Sequence, residues 1–212
     1  MSGCLITLEG GEGAGKSTVM ADLRAHIESQ GIILHVTREP GGTALGEAVR
    51  QLVLDSAMRD VCAESELLLM FAARAQLVRE VIQPALVRGD WVLSDRFTDA
   101  SFAYQGGGRG QPLQRIEELD RWAADGLRPD LTLLLDVPVE IGRARAGLRG
   151  SPDRIEREQS DFFDRVRASY RTRAAADPER FHIVDSSRDI ETVRHAACTA
   201  VDDFIAKRKA SA

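Results

Sequence analysis

Cysteine is too sparse here to staple a fold. Cys4, Cys62 and Cys198 are the only three in 212 residues, they lie far apart, and no C-x-x-C pair occurs. An odd number of isolated thiols excludes a disulfide framework and fits a reducing compartment. Histidine is equally sparse: His26, His35, His182 and His195 have no ligand-like spacing, which argues against a zinc site. No long apolar run exists. The longest uninterrupted stretch covers residues 67–73, far short of a membrane span. The first residues carry no basic segment, and Glu9 interrupts the apolar stretch that follows, so no signal peptide is visible and a cytoplasmic protein is expected. Positive charge is not in excess either: 28 basic against 33 acidic residues leave a net charge of −5, a poor field for grasping nucleic acid. Lysine is nearly missing. Lys16, Lys207 and Lys209 are the only ones, and two of them are in the C-terminal tail. Repeats and low-complexity segments are absent.

What is present is ordinary globular composition, 43% hydrophobic and 29% charged, on a chain long enough for one domain with a buried core. Short apolar runs at residues 4–8, 32–36, 91–94, 131–135 and 181–184 read as strands. Between them, helical periodicity covers the segment after residue 18 up to Gly31, then residues 45–54, 64–87 (bent near Pro84), 113–124, 139–146, 161–176 and 190–206. Strands alternating with helices imply βαβ units and a parallel sheet buried on both faces, with ligands beyond the carboxyl ends of the strands. Polar clusters follow four of the strands: residues 9–17, 37–43, 95–105 and the arginines after Asp136. Residues 143–157 are rich in arginine and glycine and read as a mobile surface segment.

The first cluster, Gly10-Gly11-Glu12-Gly13-Ala14-Gly15-Lys16-Ser17, fits G-x-x-x-x-G-K-[ST] between a strand and a helix. Glycines let backbone N–H groups wrap a phosphate, and the helix N-terminus adds partial positive charge. Lys16 would bridge β- and γ-phosphates and Ser17 would ligate Mg²⁺; with the adjoining Thr18 these residues form the ATP-binding set. A chain that otherwise uses arginine keeps its one body lysine where a compact point charge is wanted. The motif by itself gives nucleotide binding rather than a reaction. No Asn-Lys-x-Asp guanine-reading motif occurs, which disfavours a GTPase, and the length favours a small-molecule kinase over a motor.

Three further strings narrow the class. Thr37-Arg38-Glu39-Pro40-Gly41-Gly42-Thr43 follows the second strand. Asp95-Arg96-Phe97 follows the third and runs on to Tyr104-Gln105-Gly106-Gly107-Gly108-Arg109-Gly110. Asp153-Arg154-Ile155-Glu156 follows the arginine-rich segment. With Glu12 in the phosphate loop, the chain resembles the bacterial thymidylate kinases from about Leu5 to Val184. The resemblance implies a three-layer α/β P-loop NTPase domain over residues 1–212. Its central five-stranded parallel sheet would be nucleoside monophosphate kinase-like, with a mobile lid at about residues 142–157. It further implies transfer of the γ-phosphoryl of ATP to dTMP with Mg²⁺, and a homodimer.

Carried onto this sequence, the resemblance makes Arg96 the holder of the dTMP phosphate, with Arg50 beside it, and lets Asp95 share Mg²⁺ with Ser17. Arg38, Glu39 and Pro40 would shape the acceptor pocket. Arg74 would donate to thymine O4, with Ser101 and Gln105, one helical turn apart, on the pyrimidine edge. Tyr104 would crowd a ribose 2′ position, and Glu12 would address the sugar 3′-OH or a metal-bound water. Many family members carry an aromatic four residues before the base-reading arginine. Here Met70 stands there and Phe71 is three before, so the choice between Phe71 and Met70 for covering the base stays open. With no arginine in the phosphate loop, the transition-state cation is expected from the lid: Arg149 first, then Arg145 or Arg154, from a segment that also holds Arg143 and Arg157. Asp185-Ser186-Ser187 follows the last strand, where adenine commonly lies in this fold class. Two rival readings remain: a kinase for another nucleotide or a deoxynucleoside, if the base pocket has drifted, and an ATP-binding regulatory module. The second would predict damaged phosphate machinery, yet Lys16, Ser17, Asp95, Arg96 and the lid arginines are all present.

Overall fold

The computed structural model describes residues 3–58, 60–147 and 152–210. Its centre is β1 (Cys4–Gly10), whose seven residues are all buried. An apolar run enclosed on both faces belongs in the middle of a parallel sheet, and β1 lies there, paired with β3 (Trp91–Asp95) on one side and β4 (Leu131–Asp136) on the other. With β2 (Leu34–Arg38) and β5 (Phe181–Asp185) at the edges, the order is β2-β3-β1-β4-β5, parallel throughout. The neighbours of β1 lead away in opposite directions, so a crevice opens beyond its carboxyl end.

The pleat of β1 divides its labour. Cys4, Ile6 and Leu8 join the core under α1 (Lys16–Ser29) and α9 (Ile190–Ala210). Leu5 packs on the opposite face against Leu77, Val78 and Ile82. The five strands sit where the apolar runs predict them, but each extends one or two residues further. Those added ends, Gly10, Arg38, Asp95, Asp136 and Asp185, are polar or glycine, so hydrophobicity did not mark them. The second strand also starts late, at Leu34, because Gly31 (φ 76°) turns the chain after α1 and leaves Ile33 exposed.

The long helix predicted over residues 64–87 is α3 (Ala63–Leu77), a π-helical turn (Val78–Ile82) and α4 (Gln83–Val87). Pro84 has no N–H to offer the carbonyl one turn back, and the wider turn takes up that mismatch. The helix α2 (Ala44–Leu54) packs against α3, capped by the Thr43 side chain, which accepts from Gly46 N at 3.0 Å. One element was not predicted as structure. After β3, α5 (Thr98–Ser101) continues as a π-helix, Phe102–Gly108, ahead of α6 (Leu113–Ala123). The reason for its glycine run is packing. A Cβ on Gly107 would lie 2.8 Å from the Arg165 carbonyl oxygen, and one on Gly108 would enter the Phe162 ring. Only glycine lets α8 (Ser160–Ala176) approach this closely. The remaining helix, α7 (Val139–Ala146), follows β4.

Candidate active site

A cavity of about 550 Å³ opens beyond the carboxyl ends of β1 and β3. Its floor is the phosphate loop. Gly10, Gly13 and Gly15 all have positive φ (143°, 68° and 86°), a backbone that side-chain-bearing residues rarely adopt. Gly13 also abuts α7: a Cβ there would collide with the Gly142 carbonyl, and one on Gly142 would collide with the Glu12 carbonyl. Gly11 has open space around it, and Ala14 is buried with its carbonyl accepting from Ser186 Oγ at 2.6 Å. Lys16 Nζ lies over the loop and donates to the Gly10 and Gly11 carbonyls, both at 3.1 Å. Burial, reinforced by the nearby Arg96 charge, pulls its pKa down to about 8. Ser17 and Thr18 line the cavity beside it.

The acceptor-side wall starts at the corner after β3. Arg96 has φ 69°, a conformation costing about 1–3 kcal/mol for a residue with a side chain. Local bonds hold it: Arg96 N donates to the Leu8 carbonyl (3.0 Å), Ser94 Oγ to the Arg96 carbonyl (2.7 Å) and Phe97 N to Glu9 Oε1 (2.7 Å). Its guanidinium donates to Gly10 O (2.9 Å), Tyr170 Oη (3.2 Å), Glu12 Oε1 (2.8 Å) and Tyr104 Oη (3.0 Å). It lies 4.7 Å above the Tyr104 ring, whose hydroxyl donates to Glu12 Oε1 at 3.0 Å. Asp95 Oδ1 is buried and accepts no hydrogen bond, while its residue lines the cavity near Ser17. Arg50 Nη1 donates to the Pro40 carbonyl at 3.1 Å; burial, then repulsion from Arg38, lowers its pKa.

The structure separates some residues that the sequence grouped. Glu39, Pro40, Arg50, Met70, Tyr104 and Gln105 line the cavity; Arg38, Phe71, Arg74 and Ser101 do not. Arg38 pairs with Glu47 outside the Glu-Pro-Gly-Gly turn (2.8 Å). Arg74 is fully buried and donates to Glu39 Oε2 (2.8 Å), the Phe97 carbonyl (3.1 Å) and Ser101 Oγ (3.0 Å). Phe71 packs with Leu67, Phe102 and Ile116 in the core behind the wall. Met70 lines the cavity, whereas the Phe71 ring lies under the buried Arg74 guanidinium, whose Cζ is 4.6 Å from the ring centroid. Met70, not Phe71, therefore faces the cavity.

On the donor side, Arg145 lines the cavity and donates to the Ser186 carbonyl at 2.7 Å, next to Arg188. Arg154 is directed elsewhere. It donates to Glu66 Oε2 (2.5 Å) and the Val53 carbonyl (2.8 Å) and does not line the cavity. Glu66 is buried yet its carboxyl pKa is lowered, because bonds from Gln105, Arg109 and Arg154 outweigh the burial cost. Arg149 lies outside the described residues. Sequence reasoning missed Glu66, Gly142, Tyr170 and Glu9. Only Glu9 carried a signal, a carboxylate closing an apolar strand. Burial and the nearby Asp99 push its pKa up to about 8, against the pull of its two donors. Among the described residues no His/Cys/Asp/Glu cluster could hold a metal ion by itself.

Comparison with known proteins agrees with this geometry. The family model described as thymidylate kinase matches residues 8–197. A thymidylate kinase of Methylobacillus flagellatus is 51% identical over 204 residues, covering 96% of this chain and 99% of that protein. One from Pseudomonas syringae pv. syringae is 54% identical over 205 residues, covering 97% and 98%. The crystal structure of thymidylate kinase from Ehrlichia chaffeensis superposes with a TM-score of 0.77 at 30% identity, covering 95% of this chain and 99% of that one. With the phosphate loop, the Asp95–Arg96 corner and a full-length match all pointing one way, the chain belongs to the thymidylate kinase family.

Proposed function

We propose that this chain transfers the γ-phosphoryl group of ATP to the 5′-phosphate of dTMP, giving dTDP and ADP. The observation that carries the reading is that the phosphate loop after β1 and the Arg96 corner after β3 open on one cavity from adjacent strands. A donor and an acceptor phosphate can meet there. The acceptor oxygen attacks the γ-phosphorus, the bond to the β,γ-bridging oxygen breaks, and its electron pair leaves with ADP. Both partners are anionic, so the main task of the protein is to neutralise and align.

Arg96 and Arg50 hold the acceptor phosphate. Lys16 moves from the Gly10 and Gly11 carbonyls to the β- and γ-phosphates. Met70 covers the base, with Gln105 on its edge. Tyr104 and Glu12 address the sugar. Arg74, fixed by Glu39, acts from behind the wall. Mg²⁺, bound with ATP, supplies charge neutralisation at the phosphate oxygens. Ser17 and Asp95 suit that role, since Asp95 Oδ1 is a buried carboxylate oxygen left without a donor. Arg145 reaches the donor side directly, and Arg149 would join it from a lid of about residues 142–157 in a single domain; Arg154, held by Glu66 and the Val53 carbonyl, would have to leave those partners to take part. Lid closure keeps water from the γ-phosphate.

We further infer a homodimer through α2 and α3, where Leu45, Leu52 and Leu68 are exposed on two helices that pack together. A cytoplasmic location follows from the need for ATP and dTMP; no helix among the described residues is long and apolar enough to cross a membrane. The test is ADP release with ATP and Mg²⁺ and dTMP, dUMP, dCMP, dGMP, AMP or thymidine as acceptor. Turnover with dTMP well above the others is expected. Preference for another acceptor, or no turnover with ATP still bound, overturns the reading. Gel filtration with light scattering at micromolar concentration tests the dimer.

A further inference from the structure

Arg96 is held from two ends by one buried carboxylate. Glu9 leaves β1 on the face away from α1 and is fully buried. Its Oε1 accepts from Phe97 N (2.7 Å), which fixes the backbone directly after Arg96. Its Oε2 accepts from Tyr170 Oη (2.7 Å). That same hydroxyl oxygen accepts from Arg96 Nη1 (3.2 Å), the nitrogen that also donates to Gly10 O (2.9 Å). Tyr170 comes from α8, 161 residues along the chain from Glu9, and is itself buried. Its ring packs edge-on against Tyr104, with centroids 6.4 Å apart.

We infer that Glu9 and Tyr170 are positioning residues for the acceptor phosphate, holding the Arg96 guanidinium in place through an Arg96–Tyr170–Glu9 hydrogen-bond chain. The inference rests on the proposed role of Arg96 as the acceptor-phosphate holder. The physical need is plain. Arg96 sits at a left-handed backbone position and carries a long side chain with many rotamers. Its Nη2 is engaged by Glu12 and Tyr104, both of which line the cavity. The Nη1 contacts to Gly10 O and Tyr170 lie deeper, and of these only the Tyr170 contact runs on to a buried carboxyl group that is itself fixed by a backbone N–H. Neither Glu9 nor Tyr170 lines the main cavity, so neither touches substrate.

Tyr170→Phe removes the hydroxyl and keeps the ring packing. The test measures equilibrium dTMP and ATP affinity by calorimetry for the parent, Tyr170→Phe, Arg96→Ala and the double variant. Tyr170→Phe is expected to weaken dTMP roughly tenfold, the scale of one hydrogen bond to a charged group, while ATP affinity stays within twofold. In the Arg96→Ala background the same substitution should change dTMP affinity less than twofold, because its effect runs through Arg96. A merely structural hydroxyl would lower the melting temperature and shift both ligands, or act equally in both backgrounds. Either result overturns the inference, as does an unchanged dTMP affinity in Tyr170→Phe. An Arg96→Ala variant that binds dTMP like the parent overturns the role of Arg96 itself, and with it the chain. If Tyr170→Phe does not fold, Glu9→Gln, which keeps the shape of the carboxylate, enters the same cycle.

Discussion

Gly142 lies on α7 in ordinary helical backbone, where alanine is the better helix former by about 1 kcal/mol. Propensity alone would make Gly142→Ala stabilising. The structure reverses the sign. A Cβ at this position runs into the Glu12 carbonyl and also meets Val137 Cγ1 at 3.3 Å. Neither the phosphate-loop backbone nor the α7 backbone can yield as a flexible side chain would, and overpacking of this kind costs about 1–3 kcal/mol. Subtracting the propensity gain leaves a net loss of roughly 1 kcal/mol at the middle of that range, about fivefold if all of it appears in ATP affinity. Gly147, at the end of the same helix, is the control: nothing lies within 4 Å of its Cβ position, and its φ is −60°. Thermal unfolding and ATP titration on both variants decide the matter. Gly147→Ala should equal or exceed the parent in stability with ATP affinity unchanged. Gly142→Ala should be less stable, bind ATP about fivefold more weakly, or divide the loss between the two. A Gly142→Ala protein that gains stability like Gly147→Ala and binds ATP within twofold of the parent would refute the close contact between loop and helix.

Three other outcomes are expected. Lys16, with its pKa near 8 in the free protein, regains a higher pKa once phosphates face it. ATP binding at about pH 8.5 should therefore take up a proton and weaken as pH rises further, read as a buffer-dependent calorimetric enthalpy; no proton uptake contradicts the assignment. Arg74→Met strands the buried Glu39 carboxylate, whose pKa burial already raises, and should cost about 3–5 kcal/mol in urea unfolding, with part recovered by adding Glu39→Gln. Met70→Ala should raise the dTMP KM several-fold with little change in ATP KM. Phe71→Leu should lower stability by about 1–2 kcal/mol and leave the dTMP KM within twofold, and the reverse pattern would restore Phe71 to the base.

The phosphate loop, the five strands and most of the helices were legible in the sequence, because each is a local pattern. An apolar run closes a strand, a four-residue spacing makes a buried helix face, and the glycines and Lys16 that cradle a phosphate are contiguous in one loop. The family resemblance rested on such contiguous strings as well. Side-chain destinations across the sheet were not legible. Whether Met70 or Phe71 meets the base depends on the rotation of α3, which is set by the elements it packs on, α2 and α6. Nothing local marks the glycines at 106–108 as a packing surface; that follows only from the approach of α6 to Gly106 and of α8 to Gly107 and Gly108. Arg74 is sealed by Glu39, 35 residues earlier, and Arg154 by Glu66, 88 residues earlier. Tyr170 meets Glu9 across 161 residues of chain. No local periodicity encodes such pairs. They form because burial leaves a charged or hydroxyl group no solvent partner, so each must find one within the fold, and the tertiary arrangement alone decides which.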